Sequence, residues 1–330
     1  MSQAQRATST SSITGGAYHT LDRFKTFINN TAGTWTQSQD TTVPTGQGFA
    51  KSLKMDCTTA KGSLDAGDIL RIQQAFEGQN LQYLKKGTSS AESLTASFWV
   101  RSNKTGTYVV ELEDRDNTRY VSQSYTISSA DTWEKKTVTF PGDTSGAFSN
   151  DNGESLRFNF WLAAGTNYNS GTLGTTWHTT NANRAVGIVN LADSTSNEWY
   201  LTGVQLEVGT AASDFEFLPV DVNLQRCQRY FEKMLPESMI MLRYSGSTSF
   251  GRAGNFKVTK RASPSLSREN GTTTIGAYNG EGGAGSATNS AWAANSVDAE
   301  GISISATTPT SPDQFFMGMG GDHFFADSEL

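Results

Sequence analysis

The densest group of side chains able to do chemistry is Glu111, Glu113, Asp114 and Asp116. Alternation puts Glu111 and Glu113 on one face of a strand, with Asp114 and Asp116 in the turn that follows. Hard cations want several oxygen ligands, so a calcium ion in the turn is one reading. A pair of carboxylates across a sugar ring is a second, although spacing in sequence does not set that geometry. The plainer reading is a solvated hairpin tip neutralised by Arg115 and Arg119, and it is the one expected. His19, His178 and His323 stand far apart, in no His-x-x-x-His or Cys-x-x-Cys spacing, so zinc sites and nucleophilic triads are unsupported. No Gly-x-Ser-x-Gly elbow and no phosphate-cradling glycine loop occurs. No enzyme, no cofactor and no metal is expected.

A second group carries binding chemistry. Residues 164–183 read as a long polar loop with Tyr168, Asn169, Trp177, His178, Asn181 and Asn183. Sugars stack on aromatic faces and exchange hydrogen bonds with Asn and His, so this mix suits a glycan. Trp99 and Trp161 are phased outward on their strands and join the candidates. The competing reading is that these aromatics pack against the chain itself or a neighbouring subunit.

The elements that must hold these groups are strands. Leu94, Ala96, Phe98 and Val100 share one face; so do Tyr108, Val110 and Leu112, and so do Leu156, Phe158, Phe160 and Leu162. Turn signals at Asn103–Gly106, Pro141–Asp143 and Asn152–Gly153 separate them. Short strands and turns in this rhythm predict an all-β sandwich of jelly-roll type over 1–218. Across Thr202-Gly203 the apolar phase slips by one residue, which predicts a glycine β-bulge. Asp221 reads as an N-cap opening a linking helix over 219–235 that Pro236 ends. Leu224, Cys227, Phe231 and Met234 form its apolar stripe. That stripe packs either on the chain's own sandwich or on symmetry mates around a threefold axis. A small β domain over 236–330 follows, with a turn at Asn270-Gly271, a Gly/Ala/Ser/Asn-rich connection at 280–290 and a paired strand at the C-terminus.

Composition agrees. Apolar residues are 36%, charged residues 18%, and glycine numbers 32, which suits strands joined by turns. The net charge of -6 gives no basic field for phosphates, so nucleic acid is not an expected partner. No apolar run is long enough to span a membrane. The N-terminal residues carry no apolar h-region, so synthesis and folding in a cytoplasm are expected. Cys57 and Cys227 read as free, buried thiols.

Several segments together resemble a family of bacteriophage virion proteins, chiefly tail-fibre and receptor-binding proteins of marine phages. They are Tyr18–Phe24, Gln73–Gly78, Leu94–Ser102, Thr132–Lys136, Gly203–Gly209, Arg226–Phe231, Phe256–Pro264 and Ala326–Leu330. The resemblance implies a carbohydrate-binding-module-like jelly roll followed by a small β domain, assembled as a homotrimer on the virion among other virion proteins. It also implies recognition of a host surface polysaccharide. Two departures matter. The jelly roll begins almost at Met1, where long fibres have a shaft, which raises a short fibre, or a head-decorating or adaptor protein without glycan binding. Thr202 and Gly203 stand where related modules carry a calcium-holding Asp pair, so that calcium is not expected here.

Overall fold

The structure is a computed structural model that describes residues 1–330 except 31, 235–239, 244–248, 270–273, 280–287, 308–314 and 319–322. The expected stop at Pro236, the Asn270-Gly271 turn and most of the 280–290 connection lie outside the described residues. The chain divides into two compact units, Met1–Pro219 with Leu330, and Val220–Glu329.

The first unit is an all-β sandwich. Its strands are β1 (Ser9–Ile13), β2 (Lys25–Asn29), β3 (Thr34–Asp40), β4 (Ser52–Thr59), β5 (Ile69–Glu77) and β6 (Leu94–Ser102). They continue with β7 (Gly106–Asp114), β8 (Arg119–Ile127), β9 (Glu134–Phe140), β10 (Glu154–Ala164) and, after a short helix α1 (Thr166–Asn169), β11 (Glu198–Val208). One sheet runs β1-β3-β4-β11-β6-β9 and the other β2-β5-β10-β7-β8; the pairings are antiparallel.

The alternation explains the layering. Leu156, Phe158, Phe160 and Leu162 of β10 are buried in one core with Phe98 and Val100 of β6 and Leu201 of β11. Rings interlock across the two sheets: Phe98 meets Phe160 edge-on at 5.1 Å and Tyr125 at 5.1 Å, and Trp199 lies 5.9 Å from Phe160. Such aromatic pairs contribute about 0.5–1.5 kcal/mol each beyond burial. The expected bulge is present: the β11–β6 register shifts between Thr202 and Gln205, and Gly203 takes φ 59°. A Cβ on Gly203 would lie 2.5 Å from the Phe49 ring, so glycine is needed for space as well as for its backbone.

The second unit holds α2 (Val220–Gln228), β12 (Phe231–Met234), β13 (Ile240–Arg243), β14 (Ser249–Asn255) and β15 (Ser265–Arg268). Then come β16 (Thr274–Asn279), β17 (Thr288–Val297), β18 (Gly301–Thr307), β19 (Phe315–Gly318) and β20 (Phe324–Asp327). They form sheets β12-β20-β15 and β13-β14-β18-β17-β16-β19. The expected C-terminal strand is β20, held between two neighbours.

The helix needs correction. It stops at Gln228 instead of running to 235, and Phe231 and Met234 lie in β12, paired with Asp327 and Phe324. Apolar residues three and four apart fit a helix, but four residues are too few to separate that period from a strand, and pairing with β20 decides. Buried Lys260 enforces the break: its ammonium donates to Gln228 O at 2.5 Å and Glu232 Oε2 at 2.6 Å. It thereby caps the helix end and ties the strand that follows. The proposed interface stripe is therefore split. Leu224 is half-buried on α2, Cys227 is buried there, and Phe231 and Met234 are buried, the Phe231 ring 5.3 Å from Phe325. Neither Cys57 nor Cys227 forms a disulfide, and both are buried; burial, then Asp56 and Asp193, pushes the Cys57 thiol up to about 11. Among the described residues no helix is long and apolar enough to cross a membrane.

Replacing Phe231 by Ala should cost about 3–5 kcal/mol of stability, read from the urea unfolding midpoint. A loss below about 1 kcal/mol would show that β12 is not part of this core.

Candidate functional site

The segment after β10 is not a free loop. It folds back on the outer face of the five-stranded sheet and is stitched there. Gly165 N–H donates to Asp68 O, Ala185 N–H to Tyr168 O and Ser122 N–H to Gly174 O, each at 2.8 Å. Tyr120 of β8 and His178 exchange backbone hydrogen bonds at 2.8 and 2.9 Å. Satisfied backbone groups let a polar segment lie over a sheet instead of standing in solvent.

Beneath this cover lies a charged cluster. Arg184 donates to both oxygens of Glu111, at 2.7 and 2.9 Å, and its guanidinium reaches Glu113 Oε2 at 3.1 Å. Arg71 stands 3.1 Å from Glu113 and 3.7 Å from Glu111. Asn159 donates to both carboxylates, at 2.9 and 3.0 Å, and Trp161 Nε1 donates to Glu111 at 3.1 Å. The Arg184 guanidinium lies 3.9 Å over the Tyr120 ring. These groups are almost wholly buried. Burial alone would raise Glu113, but Arg71, Arg184 and Arg157 hold its carboxyl far below the usual range. Burial disfavours the Arg184 charge too, and Glu111 outweighs it, keeping that guanidinium firmly charged.

The expected solvated tip is thus overturned for its strand residues. Glu111 and Glu113 face the cover and not water, and Asp114 is buried as well. Asp114 Oδ1 accepts the backbone N–H groups of Asp116 and Asn117, closing the hairpin turn. Arg115 does pair with Glu113, at 2.8 Å, whereas Arg119 turns to Asp143.

The sugar-binding candidates do not converge. Trp161 is fully buried, 5.7 Å from the half-buried Tyr168 ring and close to both Arg71 and Arg184. Asn169 spends its amide on Ala164 O, at 2.6 Å. The His178 ring packs 5.9 Å from Tyr120, with Nδ1 accepting from Thr180 N–H; burial lowers its pKa, Glu111 pulling the other way. Asn181 is exposed on the cover. Trp99, half-buried, belongs to the other sheet.

Trp177 goes elsewhere. Its Nε1 donates to Pro141 O at 2.7 Å, and it walls a small cleft with Glu92, Asp143 and Phe148 over a floor of leucines. The cavity measures ≈ 20 Å³. A wider one of ≈ 200 Å³, lined by Gln82, Lys85, Thr88 and Ala147, shares Lys86 and Phe148 with it. Lys86 is the pin between them. Its ammonium meets Asp114 Oδ2 at 2.6 Å, Asp143 Oδ2 at 3.1 Å, Ser145 O at 2.9 Å and Gly146 O at 2.7 Å. The rings of Phe148 and Trp177 lie 5.1 and 5.3 Å from it. Burial opposes the Asp143 charge, but Arg119, the Ser145 N–H and Lys86 hold its carboxyl below the usual range. Lys86, Glu92, Asp143 and Phe148 lie in irregular segments without periodicity and carry no sequence signal that marks them as site residues.

No protein-family model and no curated protein matches the chain. Solved structures do show similarity. The enzymatically active domain of tailspike protein 4 of bacteriophage CBA120 is 13% identical over 56% of this chain, with a TM-score of 0.33; the match spans 19% of that chain. A CBM4 structure is 11% identical over 56% of this chain and 78% of its own, with a TM-score of 0.29. A family 11 carbohydrate-binding module from a cellulosomal cellulase of Clostridium thermocellum is 13% identical over 60% and 97%, with a TM-score of 0.28.

Removing one partner of the buried cluster leaves charge unpaired. Arg184→Met should cost about 3–5 kcal/mol in chemical unfolding; a near-neutral change would remove the cluster from the stability account. Acid acts in the same direction. Glu113 and Asp143 have depressed folded-state pKa values, so their contribution is complete above the ordinary carboxylate range and is lost as pH falls through the lower values. The acid unfolding midpoint of Arg184→Met should therefore move to higher pH, measured by fluorescence.

Proposed function

We propose that the chain is a non-enzymatic sugar-binding component of a bacteriophage virion, a tail-fibre or receptor-binding protein that recognises a host surface glycan. The observation that carries the sugar reading is the cleft at Trp177. The half-buried Trp177 indole lines one cleft with Glu92 and with Lys86, whose ammonium lies 5.3 Å from the ring. Aromatic faces with a few set polar groups are what sugar rings require. Tyr83, 59% exposed, adds a further ring on the turn whose residues line the wider cleft. The non-enzymatic reading is supported by the fate of Glu111 and Glu113, which are locked by arginines and out of reach of a sugar. The virion setting, assembly in a host cytoplasm and a homotrimer are supported by the resemblance of the 203–209 and 226–231 segments.

A second reading is a head-decorating or adaptor protein. It is favoured by apolar exposure on the segment after β11, where Phe217 is 55% exposed and clusters with Phe49 and Phe215 at 5.2 and 4.8 Å. An exposed patch of that kind suits a protein partner.

On a glycan array, Trp177→Ala should weaken binding about tenfold or more, while Trp99→Ala should leave it unchanged. Labelling intact particles with an antibody to the chain separates the two settings: distal tail label supports receptor binding, and label confined to the head supports decoration.

A further inference from the structure

We propose that the Trp177 cleft selects a 2-acetamido sugar, the acetamido methyl group entering the hole beneath the indole and the amide N–H donating to Glu92. This inference rests on the sugar-binding reading and names the chemistry of that same cleft.

Four leucines line the hole, Leu84, Leu94, Leu112 and Leu156, side chains that also belong to the sandwich core, and with them stand Phe148, Trp177 and the charged Lys86, Glu92 and Asp143. At ≈ 20 Å³ it has room for one methyl-sized group, since a cavity of about 10–15 Å³ on the same measure already admits one water. A hydroxyl pressed against the leucines would lose hydrogen bonds to water, whereas a methyl group there gains burial.

The polar groups at the rim are nearly all spent. Lys86 is occupied by two carboxylates and two carbonyls, Asp143 by Lys86 and by two hydrogen bonds from Arg119, and Trp177 Nε1 by Pro141 O. Glu92 differs. Its Oε1 meets the exposed Lys85 at 2.7 Å, and among the described residues nothing hydrogen-bonds its second oxygen. Glu92, four leucines and the Trp177 ring therefore line one small cavity. An acetamido-pyranose offers the matching donor, methyl group and C–H face. A 2-hydroxyl sugar has no group for the hole, and a 2-ammonium sugar would have to put a charge against leucines.

The test is calorimetric titration of the full chain with methyl glycosides of N-acetylglucosamine and N-acetylgalactosamine. Each is set against its 2-hydroxy parent and its N-butanoyl analogue. Expected is roughly tenfold tighter binding of at least one acetamido sugar than of its 2-hydroxy parent, from one buried methyl group and one hydrogen bond, and tighter binding than of its N-butanoyl analogue, whose longer acyl chain overfills the ≈ 20 Å³ hole. Glu92→Gln should reduce that preference without moving the unfolding midpoint, because its ion pair with Lys85 lies at the surface, the two side chains 37% and 54% exposed. Equal binding of acetamido, hydroxy and butanoyl sugars overturns the acetamido selection and leaves the sugar-binding reading standing. Binding of none, with binding to other glycans on the array, overturns the selection alone; binding of nothing at all overturns both.

Discussion

Two buried carboxylates on one strand face, Glu111 and Glu113, set the terms for the N-terminal unit. Placing them side by side in a low-dielectric layer is prohibitive unless cations come with them. Arg71 arrives from the neighbouring region of the same sheet, but Arg184 comes from the segment that crosses over it. The cover and the cluster are thus mutually dependent. Without Arg184 the carboxylates are uncompensated, and without the carboxylates the cover loses its anchor. The aromatic rings of Tyr120 and Trp161 fit the same logic, since their faces accept the guanidinium planes. What looks like a binding surface in sequence is spent on holding the sandwich closed on one side.

That closure moves the search for a ligand to the end of the sandwich. There the irregular segments around 78–92 and 141–149 meet at Lys86. The arrangement is rigid for a reason that can be counted in hydrogen bonds: an ammonium has three protons, and four oxygens surround this one. The walls of both clefts, Phe148 among them, take their position from that contact. A ligand bound on such a base would require little reordering of the protein, which lowers the entropic cost of association.

The sandwich was legible in the sequence because period-two alternation is written into single strands, as in Leu156–Leu162. The bulge at Gly203 was legible for the same reason, as a break in that period. Local patterns with two meanings were not legible. Leu224, Cys227, Phe231 and Met234 keep a helical spacing, yet the last two belong to a strand whose partner lies some ninety residues later in the chain. Glu111 and Glu113 read as solvated because nothing near them in sequence announces Arg184, 73 residues on. Tyr168, Asn169, Trp177 and His178 are close in sequence but face different surroundings once the cover is pinned at Tyr120. Lys86 was invisible, since a lysine in a turn gives no periodic signal. Long-range charge pairing is the information a single sequence withholds.

The Lys86 joint has a consequence for where such a protein can work. Oxygen cages of this shape, two carboxylates and two carbonyls, are the places where many proteins borrow a dissolved ion. Here the positive charge is part of the chain. It cannot be diluted away, competed off or stripped by a chelator, and it needs no supply from the medium. A joint that carries its own counterion depends on no dissolved metal ion for its shape.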